Sequence, residues 1–232
     1  MHEQHRASAR WRRLGPLAAA LSCGVLLRGA PAAAQTGKGE YLGAWSIAGS
    51  LGYAVPNTDE YDNAFAWRAA LGYSPLPQFE LDLEFGRFAT DVSQPDPGGI
   101  PSHTIASGSL GITPVCLTAQ YRRPLPQLLS TLILLGGVGY YFIDYSMGAE
   151  QRDAFEAAGV TGLPDQEVDD SWGFHLGAGL EYAVTERISL VAEGRYLFLN
   201  PSARGTTASG GRFDDSLDLD TWMFTGGVKV GF

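Results

Sequence analysis

Apolar and polar residues alternate with a period of two along most of this chain, and such alternation predicts β-strands. Turn-forming residues separate eight alternating runs. Each run is longer than the five or six residues typical of a soluble strand, and each could cross a bilayer at a tilt, which takes about 9–11 residues. The runs cover residues 44–55, 64–74, 78–90, 105–122, 131–146, 171–183, 188–200 and 217–232.

The connections between these runs alternate in length. Short links, SPLPQ, RPLPQLL and VTER, follow the second, fourth and sixth runs, whereas mostly longer polar loops follow the others. Short turns at one end and long loops at the other are typical of outer-membrane barrels. We therefore predict an all-β fold, an eight-stranded antiparallel up-and-down transmembrane β-barrel with short periplasmic turns and long extracellular loops. In the third long loop, residues 148–159 can form one or two helical turns.

The two faces of the strands differ in composition. One face carries Trp, Phe, Tyr and Leu, and the other carries small residues with scattered polar and charged ones. A soluble barrel or sandwich would turn the aromatic face inward, but eight rows of aromatics would overfill an interior that is just wide enough for side chains. The small and charged face therefore lines the lumen. Its predicted polar network is Arg68, Glu80, Asp82, Glu84, Gln120, Arg122, His175, Glu181, Glu193, Arg195 and Lys229.

Aromatic residues cluster towards the strand ends on the apolar face. Such clusters suit the two interfacial girdles of a membrane barrel, so outer-membrane lipids and lipopolysaccharide are the expected surroundings. The predicted lipid-interface aromatics are Trp45, Tyr53, Trp67, Tyr73, Trp172, Tyr182 and Trp222.

The N-terminus reads as a secretory signal peptide. Arginines precede an apolar stretch that ends in APAAAQ, which predicts cleavage after Ala34 and a single barrel domain over residues 35–232. The alternatives are a short membrane anchor and a lipoprotein site at Cys23.

Removal of residues 1–34, which hold five arginines and one glutamate, leaves 11 basic and 24 acidic residues and a net charge of −13. Such an acidic chain argues against nucleic-acid binding.

Proline 114 interrupts the fourth run. Proline cannot donate to a strand ladder and is normally confined to edges and bulges. The apolar residues also change parity here, because Leu110 and Ile112 are even-numbered whereas Val115 and Leu117 are odd-numbered. We therefore predict a bulge at Pro114. It acts as a lateral opening for apolar solutes, or only shapes the wall, or lies where the strand has already risen above the bilayer.

Two further groups of residues are candidates for chemistry. Glu80, Asp82 and Glu84 form an acidic ladder in the lumen, which predicts either an ion-passing lumen or a salt-bridged plug. The segments TDEYD, DQEVDD and DDSLDLD are acidic loops without EF-hand spacing, so they are either solvated loops or weak sites for divalent cations. We expect no cofactor and no resident metal.

At this point the residues resemble the OmpW family of small outer-membrane barrels. The last three runs, from DDSWGFHLGAGLEYA to WMFTGGVKVGF, are similar to that family's last three strands, and LGITPVCLTAQYR with GGVGYYF is similar to its fourth and fifth. The resemblance covers residues 110–232, while the first half fits only the general eight-stranded class that includes the OmpA membrane domain. It implies a Gram-negative outer-membrane location and a narrow, largely apolar channel. It also implies that the barrel-assembly machinery recognises the terminal Phe232.

We therefore expect a narrow channel or binder for small hydrophobic molecules and no enzyme activity. The alternative from another class is a structural or adhesive barrel with a plugged lumen and no transport. A third is a lipid acyl hydrolase that uses His103 or His175 near Ser102 or Ser171, although the chain has neither a G-x-S-x-G elbow nor an H-E-x-x-H helix motif. Cys116, left alone after signal cleavage, is expected to be a small packed residue.

Overall fold

The computed structural model describes residues 44–58, 61–93, 107–148, 166–206 and 212–232. The predicted signal peptide lies outside these residues, as do the predicted helical turns apart from Gly148. Among the described residues, no helix is long and apolar enough to cross a membrane.

Eight long strands form a closed barrel, as the alternation predicts. They pair in the order β1-β2-β3-β4-β5-β7-β8-β11, and β11 returns to β1. Every neighbouring pair is antiparallel. The strands are β1 (Ala44–Pro56), β2 (Ala64–Leu76), β3 (Phe79–Ser93), β4 (Ser107–Leu125), β5 (Ser130–Met147), β7 (Ser171–Ala183), β8 (Ile188–Phe198) and β11 (Thr221–Gly231). The predicted all-β, eight-stranded fold is therefore confirmed.

Strand boundaries agree closely with the alternation. The strand β7 begins and ends at the predicted residues. The largest difference is in β11, which begins at Thr221 rather than at residue 217. Leu217 and Leu219 are apolar because they are buried in the apolar core of the barrel, not because they belong to the strand.

The strands are staggered around the barrel. When the register is followed once around the inner face, the path returns to β1 ten residues beyond its start. A fixed stagger accompanies the strand tilt that closure requires. The path runs through Ser46, Gly72, Asp82, Thr118, Gly137, His175, Leu197, Thr221 and Pro56.

A second, three-stranded sheet was not predicted. It consists of β6 (Gln166–Val168), β9 (Ser202–Thr206) and β10 (Arg212–Ser216), with β9 in the middle. These strands come from segments that the sequence analysis treats as polar loops. The hairpin of β9 and β10 has no long apolar alternation, since among its described side chains only Ala203 is buried and apolar.

The predicted bulge at Pro114 is wrong. The register between β4 and β5 runs unbroken through Pro114, which lies opposite Tyr141, and the register between β3 and β4 is the same on both sides of it. The change in apolar parity has another cause: Leu110 and Ile112 point into the barrel, where the interior itself is apolar. The structure instead has a register shift between β2 and β3, between Tyr73 and Leu76.

The last residue closes the barrel. The backbone N–H of Phe232 donates to Trp45 O at 2.9 Å, and Trp45 N–H donates back to Phe232 O at 3.1 Å. An unpaired edge is very costly in a bilayer, since lipid offers no hydrogen bonds. This pairing explains why the apolar alternation continues to the end of the chain. Recognition of Phe232 by assembly machinery stays a prediction.

The seam between β1 and β11 is also the place of one close backbone approach. A Cβ at Gly52 would collide with the backbone of Phe224 and Thr225 on β11, whereas a Cβ at Gly49, in the same strand, would meet nothing within 4 Å. We expect Gly52→Val to separate the seam and destabilise the barrel by about 1–3 kcal/mol, as overpacking typically does. Urea unfolding of the detergent-solubilised protein measures this change.

Gly49→Val is the matched control, because it adds the same side chain to the same strand but into open space. We expect its unfolding midpoint to stay near that of the wild type. Equal midpoints for the two variants would contradict the close approach at Gly52.

Candidate functional site

The inner face of the barrel brings the polar residues together. All eleven residues of the predicted polar network lie on the inward positions of β2, β3, β4, β7, β8 and β11. Several are almost completely buried; Glu80 and His175, for example, each retain 1% of their exposure. Charges buried to this extent are stable only when they are paired and hydrogen-bonded.

Four residues form a closed ring of alternating charge, here called the upper ring. Arg68 contacts Glu84 at 2.8 Å and Glu193 at 2.6 Å. Arg195 contacts the same two carboxylates, at 2.7 Å and 2.8 Å. Each guanidinium thus bridges two carboxylates, and Arg195 contacts both carboxylate oxygens of Glu84, at 2.7 Å and 3.3 Å, in the bidentate geometry that suits arginine. The ring spans the lumen and has no net charge.

A second set, the lower ring, lies nearer the end of the barrel that carries the short turns. Arg122 contacts Glu80 at 2.8 Å and Glu181 at 2.6 Å. Lys229 pairs with Glu80 and lies 3.7 Å from Glu181. The lower ring is also neutral, with two cations and two carboxylates. The alternative of a salt-bridged plug therefore describes this part of the lumen better than an ion-passing channel.

Two polar pairs lie beside the rings. Gln120 donates its amide to Asp82. The Oγ1 of Thr118 and the Nε2 of His175 are 3.0 Å apart. Among the described residues, His175 has no serine partner, and the loop residues Ser102 and His103 lie outside those residues.

The other half of the lumen is apolar. Phe88, Leu110, Ile112, Tyr141 and Leu197 are buried there. Residues from the small sheet and from the segments beside it pack on them and form an apolar cap, which consists of Val168, Leu199, Ala203, Leu217 and Leu219. The barrel is therefore closed by charge rings in one half and by apolar packing in the other.

A cavity in the barrel wall lies between these two halves. Its lining includes outward-facing residues, such as Trp67 and Phe85, and inward-facing ones, such as Cys116 and Tyr141. The upper ring contributes Arg68, Glu84 and Arg195, and the apolar half contributes Phe88, Leu197 and Met223. Residues of both wall faces therefore line this wall cavity, which has a volume of about 30 Å³.

The wall is interrupted where the cavity crosses it. The ladder between β3 and β4 pairs Phe85 with Val115 and then Phe88 with Ile112, and it omits the two positions between them. Arg122 N–H donates to Gln78 O, so even-numbered residues of β4 point their backbone groups towards β3. Pro114 lies opposite Gly86 in this register, and it has no N–H to donate. Sequence reasoning identified Pro114 but missed Gly86, which leaves the inner side of the gap without a side chain.

The acidic loops have structural roles where they are described. Asp170 accepts a bond from Ile143 N–H at 2.9 Å, and Asp220 accepts bonds from Leu199 N–H and the Tyr196 hydroxyl, both at 3.0 Å. Asp169 pairs with Arg204 at 2.8 Å. Within the described part of the chain, no three His, Cys, Asp or Glu residues are grouped so that they could hold a metal ion.

The outer face of the barrel is a broad apolar surface. Six of the seven predicted interface aromatics are at least 36% exposed, up to 71% for Trp172, and Tyr182 is half-buried. Many rings contact their neighbours across the strands, as in the pair Trp45–Tyr73, with 4.9 Å between ring centroids, and the pair Tyr196–Trp222, also at 4.9 Å. An exposed apolar face of this extent is unfavourable in water but suits a lipid environment.

Comparisons with known proteins agree with this architecture. A family model described as outer membrane protein beta-barrel domain matches residues 18–232. No curated protein matches the chain significantly.

Several solved structures share the fold at low sequence identity. The outer membrane protein OprG from Pseudomonas aeruginosa aligns with a TM-score of 0.65 and 16% identity over 84% of this chain and 98% of its own. The outer membrane protein AlkL aligns with a TM-score of 0.54 and 16% identity over 84% of this chain and 93% of its own. Neisserial surface protein A aligns with a TM-score of 0.52 and 15% identity over 82% of this chain and 96% of its own. The predicted class, small OmpW-like and OmpA-like outer-membrane barrels, is thereby confirmed.

The upper ring makes a direct prediction about stability. Replacement of Arg68 by Met leaves Glu84 and Glu193 buried with one cation instead of two. Removal of one partner of a buried ion pair typically costs about 3–5 kcal/mol, so we expect a large fall in the urea midpoint of the detergent-solubilised barrel. Arg87→Met is the matched control, because Arg87 is exposed, belongs to neither ring and makes a long hydrogen bond of 3.5 Å with Thr113 Oγ1. Its effect should stay within about 0.5 kcal/mol.

A double variant tests whether the loss arises from charge imbalance. Arg68→Met combined with Glu193→Gln restores a neutral ring, so it should be more stable than the sum of the two single variants predicts. Strict additivity of the two changes would contradict the ring.

Proposed function

The chain belongs to the outer membrane protein beta-barrel domain family and resides in the outer membrane of a Gram-negative bacterium, and from this premise we propose its role. It binds small hydrophobic molecules in the wall cavity and exchanges them with the membrane through the gap between β3 and β4. The proposal makes the protein a binder and lateral conduit, not a pore along the barrel axis and not an enzyme.

The rings argue against passage along the axis. Each ring spans the lumen with charged side chains held at 2.6 to 3.7 Å, apart from the still shorter contact of Lys229 with Glu80. A solute moving along the axis would have to break buried ion pairs, which is strongly unfavourable. An apolar solute could not replace their hydrogen bonds. A route that ends above the upper ring avoids this cost.

The wall cavity is the observation that supports the proposal most directly. Its apolar lining, which includes Phe88, Leu197 and Met223, is of the kind that hydrophobic ligands prefer. Because the closed cavity has a volume of about 30 Å³, β3 and β4 must separate to admit a ligand. The upper ring forms its base, and Pro114 lies in its wall. On its way out, a ligand would cross only a short stretch in which the β3–β4 ladder is not paired.

A structural barrel without transport is the second candidate, and the filled lumen favours it. The two candidates differ in one respect that can be measured. A structural barrel needs no opening between β3 and β4, whereas the lateral conduit requires these strands to separate at Pro114.

A reversible disulfide across the gap distinguishes them. Arg87 and Thr113 face outward at opposite positions of the unpaired stretch, so we propose Arg87→Cys with Thr113→Cys in a Cys116→Ala background. Entry of the fluorescent hydrophobic probe N-phenyl-1-naphthylamine into cells that express the protein is the readout. The oxidised variant should lower the entry rate to that of cells without the protein, and reductant should restore it.

The matched control places a disulfide lower on the same seam. Leu83 and Leu117 are also opposite each other, face outward, and lie in a paired part of the ladder. Leu83→Cys with Leu117→Cys should leave probe entry unchanged under oxidising conditions. Unchanged entry with the Arg87–Thr113 disulfide would favour the structural barrel and sink the lateral conduit.

A further inference from the structure

The lower half of the lumen contains one carboxylate more than its cations can pair. The upper ring and the lower ring each combine two carboxylates with two cations. Asp82 belongs to neither ring, makes no ion pair with any described residue, and is 5% exposed. Its hydrogen-bond partner is the neutral amide of Gln120. An ionised Asp82 would therefore place one unpaired negative charge between two neutral rings, in a cavity that Lys229 also lines.

Oxygen atoms from two strands, β1 and β3, converge beside Gly72 on β2. Gly72 has no side chain, and a Cβ there would collide with Ser46 Oγ, Glu80 Oε1 and Asp82 Oδ1. The missing side chain therefore leaves room for three oxygens to approach one another, and Ser46 Oγ donates a hydrogen bond to Glu80 Oε1 at 2.7 Å. Such a convergence of carboxylate and hydroxyl oxygens is the ligand type that hard cations prefer.

Gln120 provides an independent indication of a ligand. Its side chain is 4% exposed, and its Oε1 has no hydrogen-bond partner among the described residues. Gln120 lines the same internal cavity as Ser46, Gly72, Glu80 and Asp82. A buried carbonyl oxygen without a partner is costly and rare. A cation in this cavity would use that oxygen and compensate the charge of Asp82.

We propose that this cavity is a binding site for a monovalent cation of the size of Na⁺ or K⁺. The charge count selects the valence, because one positive charge makes the interior neutral, whereas a divalent ion would leave an uncompensated positive charge in a buried site. The ligands are Asp82, the Oε1 of Gln120, and the oxygens of Ser46 and Glu80. The site links the two rings, so that the cation stabilises the plug as a whole. This inference does not depend on the lateral conduit.

The test compares cations at equal ionic strength. Thermal unfolding of the detergent-solubilised barrel is followed in sodium chloride, in potassium chloride and in choline chloride, since choline is too large for the cavity. A ligand that binds only the folded state raises its stability with concentration. We expect the wild type to melt several degrees higher in sodium or potassium than in choline.

Two variants assign the effect to the site. Asp82→Asn removes the unpaired charge but keeps the shape of the side chain, and it should melt at the same temperature in all three salts. Asp144→Asn removes an exposed carboxylate on the outer face of β5 and should retain the wild-type difference. A wild type that does not distinguish choline from sodium and potassium would overturn the proposal, and so would an Asp82→Asn variant that still distinguishes them.

A second measurement locates the ion directly. Crystals soaked in thallous acetate should show an anomalous peak within coordinating distance of Asp82 and Gln120 in the wild type and none there in Asp82→Asn. A wild-type crystal without that peak would contradict the site whatever the melting data show.

Discussion

The structure depends on the need to neutralise charge inside a narrow barrel. An eight-stranded barrel leaves room for side chains but little for water, so each charged residue on the inner face must find a partner within the protein. Arg68, Arg195 and their two glutamates meet this requirement as one ring, and Arg122 with Lys229 meets it as a second. Asp82 is the remaining charge, and a bound monovalent cation is how we propose it is compensated.

The remaining architecture is arranged around these rings. They occupy the half of the lumen near the short turns, and apolar packing below the cap of the small sheet fills the other half. The wall cavity lies at this boundary, beside the stretch where Pro114 and Gly86 leave the ladder unpaired. The rings close the barrel along its axis, and the wall between β3 and β4 is interrupted. Together these two features support our proposal that apolar solutes exchange sideways with the membrane.

Sequence alone predicts much of this fold, because the side-chain period of a strand is two and the lipid-facing side is uniformly apolar. The inward positions of Glu80, Asp82 and Arg195 follow from that alternation. The ion-pair partners of these residues do not follow from the alternation, because pairing across the lumen depends on the stagger of the strands, which no local sequence pattern encodes. Leu110 and Ile112 misled the analysis for a physical reason: their part of the lumen is apolar, so hydrophobicity no longer distinguishes the inner from the outer face.

The central claim is that the charge rings close the barrel along its axis. Planar-bilayer conductance of the purified protein in potassium chloride tests it most directly. We predict that the membrane stays at its baseline current after insertion of the wild type, with insertion verified separately by recovery of the folded, heat-modifiable protein from the bilayer lipids. Reproducible, long-lived conductance steps from the wild-type barrel would contradict a lumen closed by the two rings.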